Sequence, residues 1–100
     1  MDGGKRFQTG IRMDLLDPDF LQEMGKIMHV GAVKYGDLNW KKGLSGEKGG
    51  LNHALQHLMQ YMNKTPCDYG EREVHLAQVA VNAMFEYYFA RKEREAKNER

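Results

Sequence analysis

Between residues 71 and 91, at about 100° per residue, Leu76, Val79, Ala80, Val81, Ala83, Met84, Phe85, Tyr87, Tyr88, Phe89 and Ala90 spread around most of a helix's circumference. A helix that is apolar nearly all round belongs in an interior. Its exceptions fall together, because Glu71, His75, Gln78, Asn82 and Glu86 recur at steps of three or four and mark one narrow seam. Each polar group left unpaired in an interior costs about 1–3 kcal/mol, and a domain's whole net stability is about 5–15 kcal/mol. The seam therefore needs partners, supplied by another helix or by a ligand.

Two further helices follow from the same reasoning. Asp17 can cap free N–H groups and Pro18 tolerates a first helical position, so Phe20, Leu21, Met24, Ile27, Met28, Val33 and Tyr35 predict a helix over 18–35 that stops at Gly36. Gly25 and Gly31 inside it each cost about 1 kcal/mol against alanine, which implies close approach of another backbone. Leu51, Ala54, Leu55, Leu58, Met59 and Met62 make 51–63 the cleanest amphipathic helix, with His53, His57, Gln56, Gln60 and Tyr61 on its other flank. Residues 1–16 have no clear period and read as an irregular arm, while 36–50 form a glycine-rich loop too long for a simple connection. Residues 65–70, with Pro66 and Gly70, form a turn. The alternating charges of 92–100 extend the last helix into solvent as a tail. No repeat or second domain is visible, so the expected fold is a single all-α domain over 1–100. It is a small bundle of three main helices with an irregular arm and a long glycine-rich loop.

Composition narrows this further. One hundred residues, 41% hydrophobic, suit one small domain whose thin core must offset about 1.5 kcal/mol of chain entropy per residue. Completion by a homo-oligomer is therefore expected. A net charge of +1 gives no basis for sequence-independent nucleic-acid binding. There is no run of about 20 apolar residues to span a membrane. The lone Cys67 excludes an internal disulfide and fits a reducing, cytoplasmic setting, with an ordinary loop thiol as its plain reading.

Candidate chemistry lies in the arm, the loop and the helix flanks. Arg12 has the planar fork of donors that suits a phosphate, although an arm in solvent would look the same. Tyr35 and Trp40 offer faces for a base, and Lys34, Lys41 and Lys42 offer charge for phosphate; equally, Trp40 could plug the bundle and leave the lysines solvated. His53 and His57, one turn apart, have the spacing that grips a transition metal, but no following glutamate completes a metalloprotease motif, and surface histidines are the plainer reading.

Four segments in order, RFQTGIRMDLL (6–16), GAVKYGDLNWKKG (31–43), HALQHLM (53–59) and DYGEREVHLAQVAVNA (68–83), resemble the phage-borne family of dATP/dGTP diphosphohydrolase N-terminal domains, grouped with MazG-like all-α nucleotide pyrophosphohydrolases. The resemblance implies that Arg12, Lys34, Tyr35, Gly36, Asn39, Trp40, Lys42 and Gly43 face a nucleotide, with His57, Asp68, His75 and Asn82 on the helical side of the same site. Two departures are visible. Gln78 stands where the family commonly has a second histidine, and Ile11 stands where a lysine often precedes the arginine. The carboxylate spacing of MazG-type magnesium sites is missing too, since 51–63 contains no Asp or Glu. A metal site, if there is one, would be built from His57, Asp68 and His75.

Two functions compete on this footing. In the first, a purine deoxynucleoside triphosphate stacks on Trp40 or Tyr35, its phosphates meet Arg12 and the lysines, and a divalent Mg, Mn or Co ion held by the catalytic set His57, Asp68 and His75 activates water to release pyrophosphate. In the second, no metal is needed: His75, Gln78 and Asn82 hydrogen-bond the base or ribose, and the protein sequesters nucleotides or cyclic or ADP-ribose-derived antiviral signals in the cytoplasm of a phage's host. A third reading makes the seam purely structural.

Overall fold

The computed structural model of the chain describes residues 10–42, 49–68 and 70–98. Three helices carry it, α1 (Pro18–Tyr35), α2 (Gly50–Met62) and α3 (Val74–Asn98), with 3₁₀ turns at Met13–Leu15 and Asn39–Lys42. Both α1 and α2 pack on α3, α2 the more extensively. Among the described residues the extended structure is limited to an isolated bridge between Cys67 and Gly70, so the all-α expectation holds. The centre of the glycine-rich loop with Gly43 and Gly46, the start of the arm with Lys5 and Arg6, and Tyr69 lie outside the described residues.

The start and stop of α1 follow from its end residues. The Asp17 carboxylate accepts the Phe20 N–H at 3.0 Å and Pro18 takes the first turn. Gly36, at φ +98°, ends the helix and donates its N–H to the Ala32 carbonyl at 2.8 Å. Leu38 also lies in the left-handed region, at φ +57°, and the reversal delivers Trp40 onto α3. The expectation that Gly25 and Gly31 mark a close backbone approach is corrected. Among the described residues, a Cβ at either position would meet nothing within 4 Å, and both belong to a helix that is only partly covered.

The close approach is instead at Gly50, at the head of α2, where a Cβ would come within 2.5 Å of the Asn82 carbonyl oxygen on α3. The far end of α2 is fastened by Arg72. Its Nε donates to the Tyr61 carbonyl at 2.8 Å, which also accepts the Lys64 N–H at 3.0 Å, while its guanidinium lies 4.1 Å from the Tyr61 ring centroid. Lys64, at φ +59°, closes the helix, and the Thr65 N–H reaches back to the Gln60 carbonyl at 2.9 Å.

Burial corrects the picture of a last helix covered on all sides. That helix begins at Val74, not 71, and Glu71 lies exposed ahead of it. Its buried residues are Val74, His75, Ala77, Gln78, Val81 and Asn82, so the polar seam, not the aromatic side, faces inward. On α2 the side turned to α3 carries Gly50, Ala54, His57 and Tyr61, and the apolar stripe points away. Leu51, Leu55, Met59 and Met62 are 53–68% exposed. The helices meet through small and polar groups, and the large apolar side chains remain outside. The radius of gyration, 16.6 Å against about 13 Å for a compact chain of this length, agrees.

Gly50→Ala should lower the unfolding free energy by about 1–3 kcal/mol, because backbone rather than a side-chain tip stands in the way. Urea denaturation at pH 8 checks this, and Gly25→Ala, which meets open space, is the control that should not destabilise.

Candidate functional site

At the hinge between α2 and α3 the turn after α2 folds over the first turns of α3 and leaves a cleft of about 120 Å³. Among the described residues it is lined by His57, Gln60, Thr65, Pro66, Cys67, Asp68 and His75. His57 comes from the inner side of α2 and His75 from the first turn of α3. Their Nδ1 atoms lie 2.9 Å apart, with the rings 5.2 Å between centroids. His75 is 2% exposed, and its Nε2 lies 3.0 Å from the Thr65 carbonyl oxygen. Cys67, expected to be an ordinary loop thiol, is buried and forms part of the wall.

Burial pushes His57 below its ordinary value of 6.5, aided by His75 across the pair and His53 on its own helix and opposed by Asp68 from the turn. No Lys or Arg stands among the described residues of the lining.

The three residues expected to form the catalytic set, His57, Asp68 and His75, thus line one cleft. They do not form a metal cage as folded. Both nitrogens of His75 are engaged, one by His57 and one by a carbonyl, and among the described residues no group of three His, Cys, Asp or Glu is arranged to hold an ion. His53, the other half of the expected i, i+4 pair, is exposed.

The remaining candidates are not gathered at this cleft. Gln78 and Asn82 are buried farther along the seam, and Asn82 Nδ2 donates to the Gln78 carbonyl at 2.8 Å. Trp40 stacks on Phe85 at 4.7 Å and meets Tyr88 and Phe89 edge-on, which is the packing role and leaves its ring engaged by the protein. Its indole Nε1 is buried without a partner among the described residues, as are Glu86 Oε2 and Arg91 Nε near the same end. Phe85 is ten positions beyond His75, about 15 Å along one helix. Lys41 lies over Trp40 and Tyr88, at 5.6 and 5.0 Å from the ring centroids. Arg12 is exposed and held in a fork by Asp14, at 2.8 and 2.7 Å. Lys34, Tyr35 and Lys42 are exposed, and Asn39 is half-buried. The histidine cleft and Trp40 therefore sit at separate positions along α3.

Sequence reasoning missed Thr65 and Gln60. Thr65 acts through its backbone, which no side-chain pattern reveals, whereas Gln60, three positions after His57 and exposed at the cleft, was open to detection by spacing.

The model of the family described as dATP/dGTP diphosphohydrolase, N-terminal, matches residues 1–99. The chain belongs to that family. No curated protein and no solved structure matches it. For this diphosphohydrolase-family domain, the matched residues include the arm, all three helices and every residue of the cleft lining. No described helix is long and apolar enough to cross a membrane.

His57 should make stability depend on pH. Folding holds His57 below 6.5, so it selects the neutral ring; the contribution is complete above about pH 6.5 and is lost as pH falls through the lower folded-state value. Urea midpoints should fall on going from pH 7.5 to 5, and His57→Gln should flatten that slope.

Proposed function

We propose that the domain binds purine deoxynucleoside triphosphates and serves their cleavage to the monophosphate and pyrophosphate. The observation that carries this is the full-length match to the dATP/dGTP diphosphohydrolase N-terminal family, with His57, Asp68 and His75 converging on one cleft inside the matched region. The described donors do not fit a divalent ion as folded, and α2 carries no carboxylate at all. No step is therefore routed through a metal. The chain's own residues bind and orient the nucleotide.

The same misfit favours a second reading, sequestration without cleavage, in which the cleft holds an intact nucleotide or a cyclic or ADP-ribose-derived signal. Incubation with dGTP or dATP plus Mg²⁺, Mn²⁺ or Co²⁺ separates the two. Pyrophosphate release is the expected outcome, recovery of intact nucleotide from a heated complex selects sequestration, and a silent assay with no thermal shift removes both.

The working unit is proposed to be a homo-oligomer joined through α2. Between Gly50 and Met62 there is no Asp, Glu, Lys or Arg, so a second copy can cover the stripe of Leu51, Leu55, Leu58, Met59 and Met62 without burying a charge. The five side chains are 38–68% exposed and lie together on one face, an apolar patch of the kind that marks an interaction surface. Light scattering at micromolar concentration should give a dimer or larger, and Leu55→Glu with Met59→Glu should give a monomer. A monomeric parent would refute the assembly.

A further inference from the structure

The hydrogens of the histidine pair are fixed by a backbone group. A carbonyl oxygen only accepts, so the His75 Nε2 facing Thr65 at 3.0 Å carries the hydrogen. In the neutral pair His75 Nδ1 is then bare. His57 Nδ1, 2.9 Å away, must carry the hydrogen and donate it, since two bare nitrogens would repel. That leaves the lone pair of His57 on Nε2, the ring nitrogen His75 does not engage, on a residue that lines the cleft. Asp68, also in the lining, adds carboxylate oxygens, which accept only. The cleft therefore presents two fixed acceptors beside the Gln60 amide, the Thr65 hydroxyl and the Cys67 thiol and, among its described residues, no cation. With a carboxylate in the lining and no described cation, it offers a polyphosphate no counter-charge. Its volume, about 120 Å³, is below the ~150 Å³ of a cavity that takes one whole benzene ring, so it admits the edge of a base and leaves the rest of the base outside. The cleft suits the edge of a planar base that carries hydrogen-bond donors.

Resting on the nucleotide-binding reading, we propose that this cleft is the base subsite and that it reads the edge of guanine, whose ring N–H and adjacent exocyclic amine meet the acceptors His57 Nε2 and Asp68. His75 and the Thr65 carbonyl are positioning groups that keep His57 in the acceptor form. Adenine sets a bare ring nitrogen beside its one amine on that edge, and so turns a lone pair towards an acceptor. The phosphates leave the cleft for surface outside it.

Two measurements on the full chain test this. Long-range ¹⁵N–¹H spectra at pH 8 should show His57 protonated on Nδ1 and His75 on Nε2; the opposite form at either ring overturns the proposal whether or not any nucleotide binds. Calorimetry with deoxyguanosine, deoxyinosine and deoxyadenosine should show deoxyguanosine tightest. Loss of the amine in deoxyinosine should weaken binding about tenfold, and deoxyadenosine should be weaker still. Asp68→Asn, at an exposed position in the turn, should erase most of the preference and leave the fold intact. If dGTP binds in the same calorimetry but deoxyguanosine shows no preference over deoxyadenosine, or if Asp68→Asn leaves the preference unchanged, the base assignment fails and the nucleotide reading stands. Absence of binding by every nucleotide ends both.

Discussion

A polar seam holds this domain together. α2 and α3 meet where Gly50 lets one backbone approach another, where His57 reaches His75, and where Arg72 grips the Tyr61 carbonyl. The large apolar side chains that usually join helices are largely elsewhere, and the buried apolar residues among those described are Cys67, Val74, Ala77 and Val81. Directional bonds specify one register between two helices, whereas small apolar residues tolerate several. That register sets the cleft, because its two histidines come from the two sides of the joint.

The same arrangement accounts for the exposed surfaces. A helix whose polar and small residues face its neighbour must turn its leucines and methionines outward, and α2 does so with no charge along its length. At the far end of α3 the aromatics Phe85, Tyr88 and Phe89 are covered by Trp40, so the loop's tryptophan serves as packing. The fold places its polar contacts between α2 and α3 and leaves apolar area exposed on α2.

Helix existence and ends were legible in the sequence because they are local. Asp17, Pro18 and Gly36 bound α1 as their chemistry dictates, and the period of Leu51 to Met62 sets α2. Which side faces inward was not legible, since the amphipathic pattern of α2 reads identically whether its apolar stripe meets α3 or another chain. Gly25 and Gly31 misled for a related reason: a glycine in a helix signals closeness only if something comes close, and here Gly50 has that role. The convergence of His57, Asp68 and His75 was reached through the family resemblance, and their hydrogen bonding required coordinates. The separation of Trp40 from the histidine cleft along α3 was not legible either, because spacing along the sequence does not convey where the loop after α1 lands on α3.

The Thr65 carbonyl has one more consequence. A main-chain oxygen survives every substitution of its own residue, so the direction in which the two imidazoles hand their hydrogens is inherited from the path of the backbone. Drift at position 65 can alter the rim of the cavity while the polarity of the relay stays as it is. To reverse that polarity, the turn itself would have to be rebuilt.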